Sequence, residues 1–147
     1  MRRHSRKAAR GPSPGALVFS FLETAASVEA RLEAAVSPLE LSLAKLGVLN
    51  LLAEAKEPLP LSGLAKIQKC VRSNMTQLVD RLEKDGLVRR RRDPDDRRGV
   101  LAELTAAGGQ AHAKGMRALA DGQRAIVSGL KAGDAASLKR ALKAIGS

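Results

Sequence analysis

The chain has 147 residues, 44% of them hydrophobic, with Phe19 and Phe21 its two aromatics and 26 Lys and Arg set against 15 Asp and Glu, a formal charge of +11. That length fits one domain whose core needs no cross-link. The lone Cys70 excludes an internal disulfide framework and a cysteine zinc site, and His4 and His112 lie too far apart for a local metal site. No apolar run reaches the ~18–20 residues that span a bilayer, so the expectation is a cytoplasmic protein in a reducing setting, with no membrane, metal or cofactor.

Residues 1–13 read as a flexible basic arm: Arg2, Arg3, Arg6, Lys7 and Arg10 carry +5 without an acid, and Gly11, Pro12 and Ser13 disfavour regular structure. The run from Ala16 to Leu22 has the outline of an export signal, but Glu23 follows it at once and Pro12 and Pro14 interrupt its approach. Val18, Phe21, Leu22, Ala25, Val28, Leu32 and Val36 recur at three- and four-residue steps, which predicts an amphipathic helix over about 14–36 that stops before Pro38. A second helix covers about 42–55, with Leu43, Leu46, Leu49, Leu52 and Ala53 as its apolar stripe, and Pro58 and Pro60 end it. Ser62 is placed to cap a short third helix, Gly63 to Gln68, that buries Leu64 and Ile67.

After Cys70, the residues Met75, Leu78, Val79 and Leu82 follow the spacing of one buried helix face. Ser73, Asn74, Gln77, Asp80, Arg81 and Lys84 fall on the opposite side, and Gly86 supplies the left-handed residue that closes a helix. Leu87–Arg92 and Val100–Leu104 read as two strands of a ribbon joined by the charged turn Asp93–Gly99. Thr105 caps a helix from Ala106 to about Leu130, and after an Ala132-Gly133-Asp134 turn the last helix runs over Ala135–Ile145. Glycines 108, 115, 122 and 129 share a seven-residue spacing. Of the two readings, close helix approach and a weak helix bending near Asp121-Gly122, the bend is favoured, because each interior glycine costs ~1 kcal/mol against alanine.

The positive excess is local. Residues 66–98 hold eleven basic and six acidic side chains, a second +5, while the 104 residues outside this block and the first ten add only +1. A concentrated basic block draws polyanions to one face. Helix, helix, polar-faced helix and basic ribbon is a winged helix-turn-helix order, suited to double-stranded DNA: a helix fits the major groove and the ribbon lies along the neighbouring minor groove. Arg72, Ser73, Asn74, Thr76 and Gln77 are placed for base edges, and Arg81 and Lys84 for phosphates. Arg97 and Arg98 at the ribbon tip are the candidates for groove insertion. Asp96 is expected to hold the Arg98 guanidinium, and Asp95 to serve ordinary turn chemistry. Arg89 to Arg92 alternate faces, so about half of them point away from a groove.

The stretch Cys70–Val88, the motif Asp93-Pro94-Asp95-Asp96-Arg97-Arg98 and Leu104-Thr105-Ala106-Ala107-Gly108 resemble the MarR (multiple antibiotic resistance regulator) family of bacterial transcription factors, over about residues 46–109. With that resemblance the fold expected is mainly α with a small β-hairpin wing. A single domain over 14–147 holds a winged helix-turn-helix at about 42–105 and dimerisation helices at about 14–36 and 106–146. The family resemblance implies a homodimer with intertwined first, fifth and sixth helices, reading a palindromic operator as a repressor. Residues 72–77 would enter the major groove and Arg98 the minor groove, with Asp96 as its positioning partner; Val71 stands where many relatives carry Ser.

Cys70 reads as a buried structural thiol, since the family's oxidant sensors sit in the first helix. His112 reads as solvent-facing. Phe19 and Phe21 are placed to line an apolar pocket for a small-molecule effector whose class is not readable. No nucleophile and base share a meaningful spacing, and Gly11-Pro12-Ser13-Pro14-Gly15 matches a hydrolase elbow in letters alone, so no enzyme is expected. The rival reading is a winged-helix module for protein or RNA interaction, or for non-specific architectural DNA binding.

Overall fold

The computed structural model describes residues 11–69 and 72–146. The expectations for the basic arm over residues 1–10, for Cys70 and for Val71 lie outside the described residues. The elements are α1 (Pro14–Val36), a 3-10 turn (Ser37–Leu39), α2 (Leu43–Ala55), β1 (Leu59–Pro60), α3 (Leu61–Ile67), α4 (Arg72–Lys84), β2 (Val88–Arg92), β3 (Val100–Leu104), α5 (Ala106–Val127) and α6 (Ala132–Ile145). This is the mainly α, winged arrangement that the sequence implies.

Local chemistry sets the boundaries. Ser13 accepts from the Ala16 N–H at 3.3 Å, ahead of Pro14 at the first helical position. Ser42 accepts from the Lys45 N–H at 3.1 Å to start α2, and the Glu33 carboxylate of α1 accepts from the Leu43 N–H at 3.0 Å. Two residues of one helix start are thus satisfied, one from within and one from a neighbouring helix. At the end of α4, Gly86 has φ +74°; its N–H donates to the Glu83 carbonyl at 2.9 Å and the Leu87 N–H to the Leu82 carbonyl at 2.9 Å, a Schellman closure. Leu87 is consumed by that closure, so β2 starts at Val88 instead of Leu87.

Several boundaries differ from expectation. The third helix starts at Leu61, and Ser62 sits inside its first turn instead of capping it. Leu61, Leu64 and Ala65 form the buried face; Ile67 falls off that spacing and is 57% exposed. The ribbon gains a short strand, β1, giving the antiparallel order β1-β3-β2 with Leu59 opposite Ala102 and Val88 opposite Leu104. Pro60 is tolerated because β1 is an edge. Helix α5 ends at Val127, and α6 begins at Ala132, so Ala132-Gly133-Asp134 is its first turn and not a break. Asp134 there meets the positive end of the helix dipole.

The glycine stripe is a correction as well. Helix α5 runs unbroken through Asp121-Gly122. A Cβ on Gly108 would collide with the Leu87 carbonyl oxygen, one on Gly115 would stand 2.7 Å from Leu46 Cδ1 and 2.8 Å from Leu41 Cδ1, and one on Gly122 would stand 2.9 Å from Ala35 Cβ. Three of the four glycines therefore let α5 approach its neighbours closely, and Gly129 meets nothing within 4 Å. His112 is half-buried, not solvent-facing: its Nε2 lies 2.9 Å from Asn50 Oδ1 on α2.

The core gathers Leu46, Val48, Leu49 and Leu52 of α2 with Leu64 of α3, Met75, Val79 and Leu82 of α4, and Val88 and Ala102 of the sheet. Among the described residues, no single helix is long and apolar enough to cross a membrane.

Candidate nucleic-acid interface

Helix α4 divides its residues as its spacing demands. Met75, Val79 and Leu82 are fully buried, while Ser73, Asn74, Thr76, Gln77, Arg81 and Lys84 are exposed, and Arg72 is the first residue of the helix. Between α4 and the wing lies a cleft of about 550 Å³ whose lining includes Ser62, Thr76, Arg90, Asp93, Asp96 and Arg98. A second depression, about 320 Å³, lies against Gln68, Asn74, Gln77 and Arg81. The structure thus brings Thr76, Asp96 and Arg98 to one cleft and Asn74, Gln77 and Arg81 to the adjoining surface. Arg97 is exposed at the wing tip and does not line the cleft.

The wing tip is folded by its own acids. The Asp93 N–H donates to the Gly99 carbonyl at 3.1 Å and the Gly99 N–H to the Asp96 carbonyl at 2.9 Å, closing the loop. Asp93 Oδ1 accepts from the Asp95 N–H, and Asp96 Oδ1 from the Arg98 N–H, each at 2.9 Å. Asp96 therefore grips the main chain of Arg98 and not its guanidinium. A short carboxylate reaches the amide two residues on within a few bonds, whereas a guanidinium has to give up its own freedom to meet it. The turn chemistry assigned to Asp95 belongs to Asp93 and Asp96, with Asp95 supplying only an amide.

The arginines of β2 alternate as strand geometry requires. Arg89 Nε lies 2.5 Å and Arg91 Nη1 3.4 Å from the Glu103 carboxylate across the ladder. The hydrogen bond from Arg89 holds the Glu103 carboxyl below its ordinary range, with partial burial opposing and the charges of Arg89 and Arg91 assisting. Arg90 turns to the other face, toward α4. Its Nη2 lies 2.5 Å from Asp80 Oδ1, and its Nη1 donates to Glu83 Oε2 at 2.8 Å. Its main-chain N–H donates to Glu83 Oε1 at 3.1 Å and its Nη2 to the Thr76 carbonyl at 3.3 Å. Burial disfavours the Arg90 charge, but the hydrogen bonds to Asp80 and Glu83 outweigh it and raise the guanidinium above its usual value.

Sequence reasoning missed this role of Arg90 and set Asp80 facing outward alone. The available signal was the Asp80 and Glu83 pair, one turn apart on the helix that leads into an arginine strand. Arg81, Lys84, Arg92, Arg97 and Arg98 make no ion pair among the described residues, so their charge faces outward.

Residues 41–100 match the model of the MarR family. Over 67 residues the chain is 40% identical to the uncharacterized HTH-type transcriptional regulator YfiV of Bacillus subtilis (strain 168), a match covering 46% of this chain and 41% of that protein. The chain therefore spans less than half of that curated relative. The fold is similar to that of AbsC, a MarR family transcriptional regulator from Streptomyces coelicolor, with TM-score 0.77 and 26% identity over 93% of this chain and 95% of AbsC. It is also similar to a mutant of MarR from E. coli in complex with operator DNA, with TM-score 0.74 and 25% identity over 88% of this chain and 92% of that one.

Proposed function

We propose that this chain is a member of the MarR family of winged helix-turn-helix proteins, whose model matches residues 41–100, and that it is a sequence-specific, double-stranded DNA-binding transcriptional regulator acting as a homodimeric repressor on a palindromic operator. The observation that carries the reading is the shared surface of α4 and the wing: an exposed row of amide and hydroxyl side chains, a cleft lined by both Thr76 and Arg98, and outward cations on both sides. In this reading α4 lies in the major groove, where Asn74 and Gln77 bond adenine edges and Ser73 and Thr76 serve as short donors and acceptors. Arg72 belongs to the same first turn. Arg81 and Lys84 hold phosphates, and Arg97 and Arg98 enter the minor groove, where a narrow groove strengthens the potential on a cation. Asp96 acts by shaping the turn that presents Arg98.

Pairing is supported by the apolar residues left exposed on α1, the end of α5 and α6, which include Phe21, Leu22, Val127, Leu138 and Leu142. A two-fold arrangement sets the two copies of α4 about 34–36 Å apart, one turn of duplex.

Selection from a random duplex pool tests this directly. The expected product is an inverted repeat with half-site centres about 10 base pairs apart. Arg98→Ala is expected to weaken binding to that product about tenfold at fixed salt, within the ~1–3 kcal/mol of a good base-edge or groove contact. A pool that shows no enrichment, or a selected duplex displaced as readily by random DNA, overturns the reading in favour of non-specific or architectural binding.

A further inference from the structure

We propose that Arg90 is a positioning residue for DNA recognition: it fixes the wing against α4 so that Arg98 reaches the groove. The inference rests on the operator-binding reading above. Only Leu87 separates the Gly86 closure of α4 from the start of β2, so the wing and the helix meet at one short joint. Val88 and Ala102 pack the base of the sheet against α4 in the core, so what remains to be held is the outer part of the ribbon.

Arg90 is the residue built for it. Thr76, Asp80 and Glu83 lie at i, i+4 and i+7 on α4, a stripe about 10 Å long at 1.5 Å per residue. One guanidinium reaches all three: the Thr76 carbonyl, the Asp80 carboxylate and the Glu83 carboxylate, while the Arg90 main-chain N–H takes the other Glu83 oxygen. Three of the five guanidinium N–H donors are therefore already engaged. The Arg90 side chain is 26% exposed while Asp80 and Glu83 are 55% and 41% exposed, so the clamp acts through the number of its bonds and not through exclusion of water. Arg89 and Arg91 face Glu103 on the other side of the strand and are not placed to substitute. Arg98 lines the same cleft as Arg90 and Thr76, so a swing of the wing that breaks these bonds also carries Arg98 away from α4.

The test uses the full chain and the duplex it selects. Arg90→Met keeps the length and removes the charge; it is expected to weaken binding about tenfold and to lower the salt slope no further than Arg98→Ala alone does, because the cation lost from the groove is that of Arg98. Glu83→Ala gives a test of sign. Removing an acid beside DNA favours binding on charge alone, whereas loss of the clamp predicts weaker binding, by about fivefold. In an Arg98→Ala background, Arg90→Met is expected to cost less than about twofold, since the residue it aims is gone.

A salt slope that Arg90→Met lowers by about one more in the Arg98→Ala background marks Arg90 as a direct phosphate contact and overturns the proposal. Tighter binding by Glu83→Ala overturns it, as does an equal loss from Arg90→Met with and without Arg98. Where Arg90→Met fails to fold by circular dichroism, Glu83→Ala and Arg90→Lys carry the same comparisons. A wild-type protein that does not prefer its selected duplex to random DNA defeats the operator reading itself, whereas preference that depends on Arg98 but not on Arg90 defeats this inference alone.

Discussion

Among the described residues, every buried hydrophobic side chain except Val36 lies between Leu41 and Ala102, inside the winged unit, whereas α6 buries none of its residues and α1 only Val36. The terminal helices are no less patterned. Val18, Phe21 and Leu22 on α1 and Leu138, Leu142 and Ile145 on α6 stand 40–59% exposed on faces whose spacing is helical. Amphipathic spacing states which side of a helix avoids water; it does not state which molecule covers that side. The winged unit buries most of its own apolar side chains, whereas the terminal helices leave theirs exposed, the surface that the proposed dimer would cover. Helix α5 joins the two regimes, packing Gly108 and Gly115 inside the chain while leaving Val127 exposed near its end.

The largest expected effect breaks one regime and spares the other. Joint replacement of Leu138 and Leu142 by Glu places uncompensated charge in the proposed interface, at a cost of several kcal/mol. Sedimentation velocity should then find a monomer at concentrations where the natural chain is a dimer, with the winged unit still folded by circular dichroism. A variant that stays dimeric removes α6 from the interface. The converse change, Leu49→Ala, empties a fully buried position of α2 and is expected to destabilise the folded chain by about 2–5 kcal/mol in denaturant unfolding.

The same contrast explains what is legible in the sequence. The face of α4, the Gly86 closure and the Thr105 cap are local, and spacing alone exposes them. The two-residue strand β1 has no periodicity to read. Asp96 sits at a spacing that serves both a guanidinium clamp and a main-chain turn, and backbone geometry decides between them. His112 finds Asn50 across 62 residues, a pairing that only the packing of α5 on α2 creates. The glycine stripe misleads for a related reason: its propensity cost is local and visible, whereas the Leu87 carbonyl it accommodates is distant in the chain. Gly108→Ala should therefore lower stability despite its better helix propensity, by about 1–3 kcal/mol, measurable as a fall in the thermal midpoint. A midpoint that rises instead restores the propensity argument.

The smallest effect separates the wing from the helices by pH. The hydrogen bond from Arg89 is the main cause that lowers the Glu103 carboxyl from its usual 4.5. A carboxyl depressed in the folded state stabilises that state above its unfolded value, and the contribution is lost as pH falls through the folded value. Glu103→Gln is therefore expected to lower the thermal midpoint slightly near neutrality, and the gap between the two proteins should close as the pH drops below 4.5. The pair is exposed on its Arg89 side, so a modest change is the physical expectation. Because Glu103 bridges Arg89 and Arg91 on the face of the ribbon away from Arg90, the acid-sensitive change belongs to the sheet and leaves the Arg90 bonds to α4 in place. A gap that persists unchanged into acid would mean that Glu103 acts through packing against its strand neighbours and not through its charge.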